Sequence, residues 1–501
     1  MIVMKKFVFI FVCAVLTAVS CGQYYMYDYP GAIYDERALS YTPDEGEQPG
    51  DNFDKIVENK FIKVSEQPVS TFSIDADGAS YAYLRRTLRE GRQINPNSIR
   101  TEEFLNYFTF DYPDPTDGES IAINSEIGVC PWNGEHLLLR LGIKGKSLAE
   151  SEIPPANFIL LVDVSGSMRG DDRIELLKSG LCNMIDNMRP DDRVAIITYA
   201  SGVSKVLEST LVKNADKIKK KIKSLTADGS TAGGEAMKMA YEEAWNNFSK
   251  DSNNRIIMCT DGDFNVGVSS TDELVAMVES YMNKGIYLSI MGFGTGNYQD
   301  SRMENLSNHG NGTYTYIDSE DEMMKVFVHE RSRFYSVASD TKCQVKFFDF
   351  VDSYRLIGYE NRVMQNEDFE NDKKDAGEIG AGQTITALYE LIPASGDMTM
   401  NATAASFDVR YKKAVGEESR LVHNDVGKYY EGVSKPSPEF NFAAGIAAFT
   451  LTLRNSEYKG QSSFSLAKEL VQSAIDPAPG IDPLKFRPQL VSLIDDASKL
   501  Q

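Results

Sequence analysis

Histidine is scarce in this sequence. There are four in 501 residues, His136, His309, His329 and His423, scattered without metal-ligand or triad spacing. The commonest general base and zinc ligand is therefore missing from any local constellation. No G-x-S-x-G elbow stands at a strand end, so a serine hydrolase has no nucleophile signature. The six cysteines form no C-x-x-C pair, which excludes a zinc knuckle or a thioredoxin-like centre. Positive charge is also in deficit: 52 Lys and Arg face 73 Asp and Glu, a formal net charge of −21. Such a surface repels phosphate backbones and excludes nucleic acid as a partner. Apolar runs are short. Neither 7–19 nor 440–453 reaches the roughly 20 residues that a membrane-spanning helix needs.

What is present is an ordinary globular composition, 42% hydrophobic and 25% charged. The length suits roughly two to four domains with a substantial core. At the N-terminus Lys5-Lys6, the apolar run 7–19 and Ser20-Cys21-Gly22 read as a bacterial export signal over residues 1–20. Ala18-Val19-Ser20-Cys21 resembles a lipobox. The resemblance implies that Cys21 is acylated, becomes the mature N-terminus and anchors the chain to the outer membrane of the cell envelope. Residues 21–67, rich in Tyr, Gly, Pro and acids and lacking periodicity, are expected to be a flexible tether.

The stretch 157–168, NFILLVDVSGSM, organises the rest. An uncharged, mostly apolar run into Asp163 reads as a strand buried on both faces, as in a parallel sheet. Asp163, Ser165 and Ser167 then place one carboxylate and two hydroxyls on a loop at the strand's C-terminal edge, where open α/β sheets bind ligands. All three are hard oxygen donors of the kind Mg²⁺ or Mn²⁺ prefers. Further on, Gly229-Ser230-Thr231-Ala232-Gly233-Gly234 precedes a helix, and Ile256-Ile257-Met258-Cys259-Thr260-Asp261 ends another apolar run.

Together these segments resemble the metal-ion-dependent adhesion site of von Willebrand factor type A domains. The resemblance implies Mg²⁺ (or Mn²⁺) held directly by Ser165, Ser167 and Thr231, with Asp163 and Asp261 acting mainly through water. One coordination position would be left for a carboxylate of a protein partner. The expected protein is thus not an enzyme but a cell-envelope lipoprotein. It would bind a partner that offers an acidic side chain, and would touch the membrane through its lipid anchor only. Two alternatives compete: a metal-assisted hydrolase of envelope substrates, for which no nearby general base is seen, and an envelope scaffold whose metal is purely structural.

Around the motif, strands alternate with helices: helix 173–188, strand 193–200, strand 204–210, helix 214–225, helix 234–248, strand 254–260, helix 271–284, strand 286–293, strand 313–317 and helix 320–337. That alternation means a doubly wound, mostly parallel α/β sheet of Rossmann-like build. The lysine run Lys217 to Lys223 is read as the solvated face of its helix. Gly292-Phe293-Gly294-Thr295-Gly296 lacks the third glycine of a dinucleotide fingerprint and is read as a loop beside the metal site. Before the domain lie helical patterns at 81–90 and 100–108 and two period-two runs at 120–128 and 136–143. After it come period-two runs at 344–350, 355–359, 384–391 and 405–411. These strands are expected to pair across the insertion, so that the α/β domain interrupts a β-sandwich and a C-terminal helical region follows. The resulting organisation is signal 1–20, tether 21–67, N-terminal helices and strands 68–156, type A domain 157–338, sandwich strands 339–420 and helices 421–501. The segment before the domain, Tyr354 to Arg362 and the tail also resemble the flanking regions of a group of bacterial exported type A proteins.

Three lesser features complete the reading. Asp75-Ala76-Asp77-Gly78 lacks the third acid and the Glu at position twelve of a calcium loop, and reads as a turn with a helix cap. The acidic stretch 366–382 reads as a solvated hairpin loop. Cys130 and Cys343 both flank the central domain, but spacing does not decide whether they form a bridge.

Overall fold

The computed structural model describes residues 53–116, 118–229, 234–262, 271–294, 300–394, 403–414, 416–426 and 436–500. The signal and Cys21 lie outside the described residues. The central sheet has the spatial order Tyr314–Ile317, Ile286–Phe293, Asn253–Thr260, Ala156–Asp163, Arg193–Tyr199, Val203–Leu211. All neighbours are parallel except the last pair. Ala156–Asp163 is buried along its whole length. Its side chains alternate between two cores, as the period of a strand requires. Phe158, Leu160 and Val162 pack with Leu181, Ile218 and Phe327 on one face. Ile159 and Leu161 pack with Met237, Tyr241 and Leu306 on the other. Helices therefore cover both faces, which is the doubly wound arrangement expected from the sequence.

This domain interrupts a β-sandwich. One sheet runs Ile62–Lys63, Val351–Ile357, Thr384–Pro393, Leu137–Gly145, Ile121–Val129. The other runs Val363–Met364, Val69–Ser73, Ser336–Phe347, Ala405–Lys412, Arg420–Val426. Leu139, Leu141, Tyr354 and Tyr389 of the first meet Phe72, Val345 and Phe407 of the second in one core. Strands before and after the insertion thus share both sheets. Two boundaries move. Ile62 and Lys63 pair with Tyr354 and Ser353, so part of the expected tether is an edge strand. Arg420–Val426 pairs with Ala405–Tyr411, so the sandwich continues past residue 420. Both are short or largely polar edge strands, which carry little alternation to read.

The C-terminal tail packs on the N-terminal helices. Ala79–Arg89 and Thr101–Tyr107 share a core with Pro438–Leu453, Phe464–Gln472 and Phe486–Leu500, in which Tyr81, Phe104 and Tyr107 meet Phe442, Phe449 and Leu490. Pro438–Leu453 is apolar around its circumference and is correspondingly buried. Ser437 caps it by accepting the Phe440 N–H at 3.1 Å. Gly445 admits the neighbouring helix, for a Cβ there would stand 3.0 Å from the Val471 nitrogen. Among the described residues no helix is long and apolar enough to cross a membrane. Cys130 lies in this helical core and Cys343 in the sandwich core, both as free thiols, so they are not bridged.

Candidate metal centre

The register of the central sheet brings three strand ends level. Asp163 is paired with Tyr199, and Val162 with Cys259, so Thr260 and Asp261 arrive beside Asp163 at the C-terminal edge. Past Asp163 the chain stays extended at Ser165 and then makes a single turn, Gly166–Met168. The Ser165 N–H donates to Asp163 Oδ1 at 2.8 Å, and the Ser165 and Ser167 hydroxyl oxygens lie 2.8 Å apart. Thr260 Oγ1 donates to Asp163 Oδ2 at 3.3 Å. Asp163, Ser165 and Asp261 are buried and Ser167 is half-buried.

Backbone bonds hold this loop to its neighbours. The Val164 N–H donates to the Tyr199 carbonyl at 3.0 Å, the Asp228 N–H to the Val164 carbonyl at 2.7 Å, and the Gly166 N–H to the Gly229 carbonyl at 3.0 Å. Gly229 adopts φ +117°, and a Cβ there would come within 2.5 Å of Ser201 Oγ, so this close approach requires glycine. Thr231, two residues further on, lies outside the described residues.

Burial is the chief reason the Asp163 carboxyl is pushed up to about 6; the charge of Asp261 adds to it, while the hydrogen bonds from Ser165 and Thr260 oppose it. Among the described residues, two buried carboxylates beside two hydroxyls, with no nitrogen or sulfur ligand in the set, form a hard oxygen set. A divalent cation of the Mg²⁺ class fits that set, and its charge would relieve the repulsion between Asp163 and Asp261. The described geometry therefore brings together Asp163, Ser165, Ser167 and Asp261 of the residues singled out from the sequence.

Sequence reasoning missed two neighbours. Thr260 supports Asp163 from the adjacent strand, and Arg173 donates through Nη1 to the Ser167 carbonyl at 2.6 Å. A Cβ at Gly294 would collide with the Arg173 guanidinium, which places the end of the Gly292–Gly294 stretch beside the site. The G-x-G pattern was the available signal for that contact. Three of the histidines pair with carboxylates elsewhere: His136 with Glu390, His309 with Glu279 and His423 with Asp408.

A second acidic cluster forms only in three dimensions. Carboxylate oxygens of Asp75, Asp77 and Glu304 lie within 4.8 Å of one another. The Asp77 N–H donates to Asp75 Oδ1 at 3.0 Å, a side-chain turn of the kind expected for this stretch. Arg362 Nη2 reaches Glu304, Asp75 and Asp77 at 3.1, 3.4 and 3.7 Å and is a cation that all three share, while Arg100 also pairs with Glu304. The stretch 366–382 also departs from expectation. Gly377–Gly380 is a strand paired with Ser336–Thr341, and Glu378 is raised to about 8, chiefly by burial. A charge run says nothing of which acid the distant strand will cover.

Residues 158–263 match the family model described as von Willebrand factor type A domain. Residues 47–140 match one described as von Willebrand factor, and residues 332–500 one described as the C-terminal part of the uncharacterized protein YfbK. The chain is similar to the uncharacterized protein YfbK of Escherichia coli (strain K12), with 36% identity over 476 residues, 88% of this chain and 80% of that protein. It is also similar to the uncharacterized protein sll0103 of Synechocystis sp., with 29% identity over 189 residues, 38% of this chain and 44% of that protein. Among solved structures, a von Willebrand factor type A protein from Catenulispora acidiphila aligns over 73% of this chain and 93% of its own, with TM-score 0.40 and 14% identity.

Proposed function

The chain belongs to the family of Escherichia coli YfbK, bacterial proteins built around a von Willebrand factor type A domain, and from that premise we propose that it is a cell-envelope lipoprotein that binds an acidic protein partner through Mg²⁺. One observation carries the reading: Asp163, Ser165, Ser167 and Asp261 converge as an all-oxygen set at the sheet edge where α/β folds bind ligands. Bound there, Mg²⁺ would supply Lewis acidity toward an anionic oxygen. Ser165 and Ser167 would be direct ligands, joined by Thr231. Asp163 and Asp261 would balance the charge through water. Arg173 would hold the loop through the Ser167 carbonyl. With Ser165, Ser167 and Thr231 bound directly and two waters held by Asp163 and Asp261, one position would be left, which an acidic group on the partner would take in place of a further water. The basic and apolar N-terminus with Ser20-Cys21-Gly22 supports export and lipid anchoring at Cys21.

The test is calorimetric titration of the protein with Mg²⁺ and, separately, Mn²⁺, in wild type and in Asp163→Ala. Wild type should bind one ion and melt at higher temperature. At a concentration one hundred times Kd the gain is about 2.7 kcal/mol. The variant should stay folded and show neither effect. An equal response in both proteins would remove the metal from this site and with it the binding reading.

A further inference from the structure

A second site lies at the neck between the inserted domain and its host. A cavity of about 210 Å³ is lined by the chain leaving the sandwich at Lys144, the chain returning to it over Lys325 to Arg333, and the turn before the last helix. Lys144, Lys325, Arg333 and Arg487 face it, against the carboxylates of Glu330 and Asp482. This local excess of positive charge is opposite in sign to a protein of net charge −21.

Each carboxylate is already engaged. Glu330 takes both Lys325 and Arg333 at 2.8 Å. Asp482 accepts the N–H groups of Phe486 and Arg487 at 2.8 Å, capping the last helix. Arg487 is paired with Glu439 at 2.9 Å. Lys144 differs from its neighbours. It is buried, its Nζ donates to the Gly382 carbonyl at 3.0 Å, and it has no ion pair among the described residues. Burial is the main reason its pKa is held below the usual lysine range; Arg333 lowers it further, and Asp114 and Asp111 pull it up. An ammonium carries three donors, and a buried one without a counter-ion is costly, so an oxyanion is the group this position lacks. Leu484 and Phe486 add an apolar wall.

We propose that this cavity binds a small organic oxyanion, its phosphate or carboxylate head on Lys144 and Arg333 and its apolar body against Leu484 and Phe486. The ligand would bridge both connections of the inserted domain. The inference is independent of the metal centre.

Binding is measured by calorimetry on the intact protein with phenyl phosphate, benzoate, inorganic phosphate and benzyl alcohol. EDTA is present throughout, so that no anion can bind through a metal. Phenyl phosphate or benzoate should bind once and saturably, and the tighter of the two identifies the head group. Benzyl alcohol should not bind. Lys144→Met should weaken binding roughly tenfold or more, the scale of one charge-assisted hydrogen bond. Lys144→Arg should retain it. Arg333→Gln, at a half-buried position, should also weaken it and guards against a folding defect in the first variant. Failure of both anions to saturate wild type would overturn the assignment, as would undiminished binding in Lys144→Met and Arg333→Gln. Inorganic phosphate binding as tightly as phenyl phosphate would overturn the apolar wall.

Discussion

The hydroxyl oxygens of Ser165 and Ser167 stand 2.8 Å apart, each carried on the turn that follows Asp163. Two neutral donors are thereby set beside two buried acids. Ligand geometry is built in advance, and the cost falls on the acids: Asp163 is raised to about 6 by burial and by Asp261. Under the proposed metal binding, such a site would give up stability in the metal-free protein for affinity in the loaded one.

Asp163→Asn should therefore stabilise the metal-free protein while abolishing its response to Mg²⁺. The amide keeps an acceptor for the Ser165 N–H but removes a buried charge. A shift from 3.8 to about 6 corresponds to a gain on the order of 3 kcal/mol at neutral pH. Urea unfolding in EDTA, then in excess Mg²⁺, measures both parts. A variant less stable than wild type in EDTA would sink the argument.

Glu378 should make stability fall as pH rises. Its carboxyl accepts from Asn311 at 2.9 Å and from Ser336 at 2.7 Å, and its pKa is about 8 against an ordinary 4.5. The folded state keeps a proton that the unfolded chain has already released. This contribution is full below about pH 4.5 and is lost progressively up to about pH 8, by about 3 kcal/mol or more. Glu378→Gln keeps partners for Asn311 and Ser336 and should flatten the profile. Parallel profiles for the two proteins in urea unfolding between pH 5 and 8 would count against it.

Arg362→Met should be strongly destabilising, by roughly 3–5 kcal/mol, because Asp75 and Asp77 lose their cation, while Glu304 keeps its pair with Arg100. In an Asp163→Asn background, Ca²⁺ should then restore part of the loss in Arg362→Met and do nothing when Arg362 is present. Thermal melts with and without Ca²⁺ make the comparison. If the arginine variant is as stable as its parent, the cluster is not held by ion pairing.

Cys21→Ser should move the protein from the detergent-soluble membrane fraction to the aqueous fraction of the envelope. Intact-mass analysis of wild type should find an N-terminus at Cys21 carrying acyl chains. An unmodified N-terminus elsewhere would defeat the anchor.

The sequence alone determined the central strand, the alternation of strands and helices around it, and the loop that carries Asp163, Ser165 and Ser167. Burial on both faces leaves an unbroken apolar run, and the loop leaves oxygen donors at fixed short spacing; both are local signatures. It also showed that strands on either side of the insertion belong together. Tertiary structure alone decided the rest. The pairing of Arg420–Val426, the packing of the tail on Ala79–Arg89 and Thr101–Tyr107, and the burial of Glu378 depend on which distant surfaces meet. Asp75 and Asp77 were legible as a turn, but Glu304 and Arg362 join them from other parts of the fold. Lys144 likewise becomes a buried ammonium with no ion pair among the described residues only where three parts of the chain enclose it. Periodicity records which face of an element is apolar, because that is a local pattern; which polar side chain a distant segment covers, and with what it pairs, depends on long-range contact.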